Sequence, residues 1–378
     1  MSLHYLDNSA TTPVSAPVAQ KALDLMTSRF GNPSSLHTLG FDAEQEMQNA
    51  RKTIAGFLSV DPETITFTSG GTEANNLALL GAAESQKRRG KHILTTQIEH
   101  PSVLNTCKQL EKLGFSVQYL APTKGGTISP DDVLEAIQED TILISIMMVN
   151  NETGALFPWD TVASKIKKQY PQILLHSDMV QAFGKMPISL SKIPLDLLSC
   201  SGHKIGAPKG VGALYCKKGV TLRPPFAFGG GQEKGLRSGT ENVPAIAAFG
   251  MAVSTLPSFA EQESRYQALQ KQLLEDLKSF ENVSLHLPGS HVPYISHFSL
   301  CGVKSETLVH FLASQNVFVS GGSACAKGKQ SHVLTAMNLP KREIDASLRV
   351  SFSPHNTKED IKALIEALEK ADKTLVHT

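Results

Sequence analysis

Leu195-Asp196-Leu197-Leu198-Ser199-Cys200-Ser201-Gly202-His203-Lys204 reads as a short buried strand that runs into small polar residues and stops at a lysine. An ammonium rarely stays charged in a dry place, and desolvation favours the neutral amine. A neutral lysine amine can condense with an aldehyde. The alternative is a surface lysine after a strand, and these residues alone do not separate the two. If Lys204 serves an aldehyde cofactor, the chain must also supply an anion cradle, a carboxylate and a flat group that stacks.

Around that strand the pattern alternates. Upstream, strands are expected at 64–68, 91–96, 116–120, 141–149 and 173–176, with helices at 73–88, 102–113, 130–137 and 159–169 between them. A further strand is expected at 211–216. Helices are also expected at 17–28 and 41–58, the second with Ala43, Met47, Ala50, Ile54 and Phe57 along one side. Strands alternating with helices imply an α/β fold, a mainly parallel sheet covered on both faces. After Asn242 come an Ala-rich helix at 244–255 and a long charged helix at 259–280, then mixed strands and helices to the end. This divides the chain into a large α/β domain, 16–258, and a smaller α+β domain made of 1–15 and 259–378.

Composition sets limits. The chain has 378 residues, 41% hydrophobic and 19% charged, so it can bury a sizeable core without disulfides. A net charge of +1 offers no electrostatic case for nucleic acid or an anionic membrane. The apolar run 142–149 is too short to span a bilayer, and the N-terminus shows no secretory signal pattern. Five scattered cysteines, Cys107, Cys200, Cys216, Cys301 and Cys325, fit reduced thiols in a cytoplasm and show no metal-ligand spacing.

Several strand ends then carry chemistry. Thr68-Ser69-Gly70-Gly71-Thr72-Glu73 lies between a strand and a helix, where backbone N–H groups and the helix dipole face an anion. It also reads as a plain turn with Thr72 as N-cap. His176-Ser177-Asp178-Met179-Val180-Gln181 places a carboxylate at a strand end, where a protonated pyridine nitrogen would be a fitting partner. A capping Asp178 is the alternative. His100, before Pro101, is held extended and could stack on a ring; a structural histidine is the other reading. Asn150-Asn151-Glu152-Thr153-Gly154 follows another strand. Five strands thus end at Thr72, His100, Asn151, Asp178/Gln181 and His203/Lys204, and open α/β sheets bind ligands at that edge. Pyridoxal 5'-phosphate is the commonest aldehyde held by such a lysine. No Walker A loop and no Gly-x-Gly-x-x-Gly opening a βαβ unit is present, which speaks against a nucleotide or nicotinamide binder.

At these residues the chain resembles the NifS/IscS-like cysteine desulfurases, of the class V branch of fold-type I pyridoxal-phosphate enzymes. The resemblance runs from Asp7-Asn8-Ser9-Ala10-Thr11-Thr12 through Gly31-Asn32-Pro33 and the segments above. It continues to Gly229-Gly230-Gly231-Gln232-Glu233, Arg237-Ser238-Gly239-Thr240 and Gly322-Ser323-Ala324-Cys325. It implies that Lys204 holds the cofactor and moves the substrate Cα proton, that Asp178 pairs with the ring nitrogen, and that His100 stacks on the ring. It further implies that Asn151 and Gln181 bond the ring region, with Asn151 also near the substrate, and that Gly71, Thr72, Ser201 and His203 hold the phosphate. Thr240 would reach the phosphate of a partner subunit in a homodimer, and Arg349 would clamp the carboxylate of L-cysteine. Without the resemblance, Arg349 reads as a surface arginine in a strand.

Cys325 separates a desulfurase from other enzymes of this class. Its stretch of glycine, serine and lysine lacks apolar anchors, and Lys327 and Lys329 favour the thiolate. By the resemblance, Cys325 takes the sulfur as a persulfide and hands it to an acceptor, an iron–sulfur scaffold or a tRNA-thiolation enzyme. The other four cysteines read as core. The segment from Cys325 to His332 is about two residues shorter than in well-known members and lacks their Ser-Leu-Glu-Pro-type residues, which bears on the acceptor. Selenocysteine lyase or another class V activity is the alternative within enzymes, and a non-catalytic sulfur-transfer partner is the alternative outside them.

Overall fold

The computed structural model describes residues 3–223, 227–322 and 330–375. Cys325 lies outside the described residues.

The chain opens with β1 (His4–Tyr5), α1 (Ala16–Thr27) and α2 (Thr38–Leu58). In α2 the residues Ala43, Met47, Ala50, Ile54 and Leu58 are buried, so the 3–4 spacing gives one inward face. His37 caps its start, and Ser59 in the left-handed region (φ 59°) ends it. Then the alternation sets in: β2 (Ile65–Thr68), α3 (Gly71–Gln86), β3 (His92–Thr96), α4 (Pro101–Lys112), β4 (Ser116–Leu120) and α5 (Pro130–Glu135). It continues with β5 (Thr141–Ser145), α6 (Trp159–Gln169), β6 (Leu174–Asp178), β7 (Leu197–Ser201), β8 (Gly212–Cys216) and α7 (Val243–Ser254).

These strands make one seven-stranded sheet in the order β2-β8-β7-β6-β5-β3-β4. Pairings are parallel except those of β8, which runs against both β2 and β7. Side chains alternate between two apolar layers. Ile93, Leu143, Leu174, Leu197 and Leu214 pack in one layer with α3 and α4, while Leu94, Ile144, Leu175, Leu198 and Ala213 pack in the other. Both faces are covered, which is why the central strands read as unbroken apolar runs.

The rest comprises α8 (Phe259–Asp276), β9 (Val283–Leu285), β10 (Ile295–Leu300), α9 (Ser305–Ser314), β11 (Val317–Phe318) and β12 (Ser320–Gly321). It ends with α10 (His332–Ala336), α11 (Lys341–Asp345), β13 (Ser347–Ser351) and α12 (Lys358–Thr374). A four-stranded antiparallel sheet runs β12-β13-β10-β9. The lead-in joins this half: β1 pairs in parallel with β11, and Leu6 is hydrogen-bonded to both Phe318 and Ser351. No single helix among the described residues is long and apolar enough to cross a membrane.

The structure corrects three expectations. The strand expected at 141–149 leaves the ladder after Ser145. The backbone stays bonded to β6, through Ile146 N to His176 O and Met148 N to Asp178 O. On the other side β3 has already ended, and the buried Glu99 carboxylate accepts from Met147 N at 3.0 and 3.1 Å in its place. Second, α3 starts at Gly71 with Gly70 as N-cap, so Thr72 is inside the first turn and is not the cap. Third, Cys107 and Cys200 are core, but Cys216 and Cys301 sit where strands end and are half-buried.

Candidate active site

A cavity of about 390 Å³ opens at the carboxyl edge of the large sheet. Each neighbouring strand delivers one part of its wall. From β7 come Ser201, His203 and Lys204; from β6, Asp178 and Gln181; from β5, Asn151; from β3, His100; and beyond β2 the start of α3 brings Gly71 and Thr72. Arg349, from β13 of the other sheet, closes the opposite side.

Asp178 is 6% exposed. Its oxygens accept from Asn75 Nδ2 at 2.7 Å and from Val180 N at 2.9 Å. It therefore does cap the following turn, and it also faces the cavity. A buried carboxylate with neutral donors on both oxygens still favours a positive charge in front of it. Asn75 extends the same network: its Nδ2 also donates to Ser102 Oγ (2.9 Å), which lies 2.8 Å from His100 Nδ1. Ser102 N donates to that Nδ1 as well, at 3.1 Å, so a neutral His100 carries its proton on Nε2. Burial pushes the His100 pKa below its ordinary value, against the pull of Asp178, so the neutral ring prevails.

Lys204 Nζ donates to the carbonyls of Ser9 (2.5 Å) and Ala10 (2.8 Å). Gln181 Nε2 donates to the same Ser9 carbonyl at 2.9 Å. His203 Nδ1 lies 3.1 Å from Thr11 Oγ1, and burial, followed by the charges of Lys204, Lys209 and Lys185, pushes its pKa down to about 4. Arg349 is 4% exposed, which removes the surface reading. Its guanidinium donates to Asp7 Oδ1 (2.8 Å), Ser320 Oγ (3.0 Å) and the Asn151 carbonyl (2.8 Å). Its Nε is a buried donor without a partner among the described residues.

The donor set fits a flat phosphorylated pyridine aldehyde. An amine, a cavity-facing carboxylate and a neutral imidazole surround one space, and the N-terminus of the 16-residue α3 opens onto it. Close approach is needed there: a Cβ on Gly71 would stand 2.6 Å from Val180 Cγ2. Thr240 is exposed and lies outside this cavity. Cys325 lies outside the described residues; of the residues on either side of that segment, Ser320 lines the cavity and Ser331 Oγ donates to Glu152 Oε2 at 2.5 Å.

Sequence reasoning missed Asp7, Ser9, Ala10, Asn75, Ser102 and Ser320. Asn75 had a local signal, a polar residue on an apolar helix face one turn after Gly71. Ser9 and Ala10 had none, because their partners are about 170 to 195 residues away.

The sequence matches the family described as aminotransferase class-V over residues 4–364. The cysteine desulfurase IscS of Methanosarcina thermophila is 42% identical over 368 residues, covering 96% of this chain and 90% of that protein. A solved NifS-like protein superimposes with a TM-score of 0.93 at 35% identity, covering 99% of this chain and 100% of its own. SspA, solved in complex with cysteine, gives 0.82 at 35% identity, covering 94% and 100%. With that match spanning both sheets and every wall of the cavity, the chain belongs to the class-V aminotransferase family, on its NifS/IscS-like branch.

Proposed function

We propose that this protein is a pyridoxal-phosphate-dependent cysteine desulfurase, which converts L-cysteine to L-alanine and passes the sulfur on as a persulfide of Cys325. The observation that carries the reading is the meeting of Lys204, Asp178 and His100 in one cavity, faced by the buried Arg349. Relatives named cysteine desulfurase, and a similar structure that holds cysteine, support the same substrate.

Asp178 would hold the ring nitrogen, His100 would cover the ring, Gln181 and Asn151 would bond its edge, and Gly71, Thr72, Ser201 and His203 would hold the phosphate; all of them line the cavity. Lys204 would hold the aldehyde carbon. When bound, the cofactor supplies an electron sink beside the amino-acid Cα. Arg349 orients the substrate carboxylate through its fork. The Lys204 amine is placed to take the Cα proton and later return one. His100, neutral with its proton on Nε2, is placed to give or take a proton beside it. The Cys325 thiolate attacks the substrate sulfur: the S–S bond forms, the Cβ–S bond breaks and its electron pair stays with the carbon skeleton, which leaves as alanine after protonation.

The protein works as a homodimer. Leu23, Met26, Phe30, Leu36, Leu39 and Phe41 are exposed along one stretch of chain, with Phe30 66% and Phe41 63% exposed, an apolar surface suited to a second copy. Thr240, outside its own cavity, then serves the partner's phosphate. The division into 16–258 and 1–15 plus 259–378 is supported by β1, which pairs with β11. Four free thiols among the described residues support a reducing cytoplasm. The sulfur acceptor is a protein, of the iron–sulfur scaffold or tRNA-thiolation class.

Mass spectrometry of the Cys325 peptide after incubation with cysteine tests the proposal. One added sulfur atom is expected, and Cys325→Ala should abolish turnover while the visible band of the bound cofactor persists. Sulfide release unchanged in Cys325→Ala would overturn it. Lys204→Ala should abolish the borohydride-fixed attachment.

A further inference from the structure

Lys185 is a second buried lysine behind the site, 7% exposed. Its Nζ donates to Gln181 Oε1 at 3.1 Å and lies 5.3 Å from the centre of the Tyr294 ring. Tyr294 in turn donates its hydroxyl to the Gln181 carbonyl at 3.0 Å. The other end of the Gln181 amide donates to Ser9 O, the carbonyl on which Lys204 also rests. The four residues form one chain: Lys185 to Gln181, Gln181 to the Ser9 carbonyl, and Lys204 to that same carbonyl.

An amide has a donor end and an acceptor end. Reversing Gln181 would set its oxygen against the Ser9 oxygen and, while Lys185 is protonated, its NH2 against an ammonium that has no acceptor. Lys185 thus dictates that Gln181 shows hydrogen atoms to Ser9 and the cavity. No carboxylate among the described residues forms an ion pair with Lys185. The groups whose charges bear on it are Lys204 and Arg349, both repulsive; His203 also feels it, and Tyr266 and His355 share with it a second cavity of about 280 Å³. Burial, then those two cations, pushes its pKa down to about 7.

We propose that Lys185 is a positioning residue: by fixing the Gln181 amide on the Ser9 carbonyl, it governs how readily the Lys204 site carries positive charge. The proposal rests on the reading of Lys204 as the residue that holds the cofactor. Without the lock, Gln181 donates less firmly to Ser9 O, that carbonyl becomes a better acceptor for Lys204, and a cation there is favoured.

The test is a pH titration of the cofactor's visible absorbance in resting holoenzyme, without substrate. Lys185→Met should raise the midpoint by about one pH unit, and Lys185→Arg should restore it. In a Gln181→Ala background the effect of Lys185→Met should shrink by at least half. No shift, or the same shift in both backgrounds, would overturn the proposal, the second outcome meaning that Lys185 acts by charge alone. Lys185→Gln gives the same reading if Lys185→Met does not fold. A wild-type visible band that survives Lys204→Ala and resists borohydride would instead sink the reading of Lys204, a separate result.

Discussion

At the scale of single residues, two buried charged side chains face the cavity from opposite sheets. Asp178 is held by Asn75 and Val180, so Asp178→Asn preserves shape and hydrogen bonding but deletes the charge. Turnover at saturating cofactor should fall by about 100-fold or more, with weaker cofactor retention in absorbance titrations. Arg349 presents a fork that a lysine cannot copy. Arg349→Lys should raise KM for cysteine by roughly 10- to 100-fold, an effect read from initial rates with melting temperature as control. Much of this was legible, because a carboxylate, a histidine and a lysine each close a strand pattern. The burial of Arg349 was not, since its partners Asp7 and Asn151 come from distant parts of the chain.

At the scale of elements, α2 does more than fill one face of the sheet. Its Arg51 reaches Glu233 through two hydrogen bonds, 2.8 and 3.0 Å, and stacks over Phe67. Glu233 also accepts from Phe67 N of β2 at 2.9 Å. The segment so anchored has Glu233 and Lys234 at φ 46° and 58°, a left-handed conformation that costs a side-chain-bearing residue about 1–2 kcal/mol. Arg51→Met leaves the Glu233 carboxylate buried and uncompensated, and should lower the unfolding free energy by about 3–5 kcal/mol in urea titrations. The double variant with Glu233→Met should recover part of that loss. The helices and strands themselves were visible in periodicity, and α6 and β4 match their expected bounds. The early end of β5 was not visible, because the residues after Ser145 remain apolar and buried while a glutamate side chain takes the place of a strand.

At the scale of the whole molecule, buried histidines set the response to acid. Burial pushes His176 from 6.5 down to about 3, and His203 and His286 to about 4. Each takes up a proton near pH 6.5 when unfolded but far lower when folded, so the unfolded state binds more protons between those values and stability drops as pH falls through that window. Glu99, raised to about 8 by burial, works oppositely: its folded form keeps a proton that the unfolded form loses near 4.5, so its contribution fades as pH rises. Three histidines outweigh one carboxyl on the acid side. Melting temperature should decline steadily on acidification below about pH 6.5, and Glu99→Gln should steepen that decline and flatten the profile between about pH 6.5 and 8.

The lead-in has a consequence for biosynthesis. Ser9 and Ala10 cap the amine at 204, yet they are fastened in place by residues 317 to 356. While the ribosome is still making the second half, Thr11 and Thr12 can already bond His203 and Gly206, but residues 4 to 9 lack the strands β11 and β13 that hold them. The cavity wall is therefore completed only when Ser320 and Arg349 have emerged, and a product truncated before them would carry the large sheet with that wall open on one side.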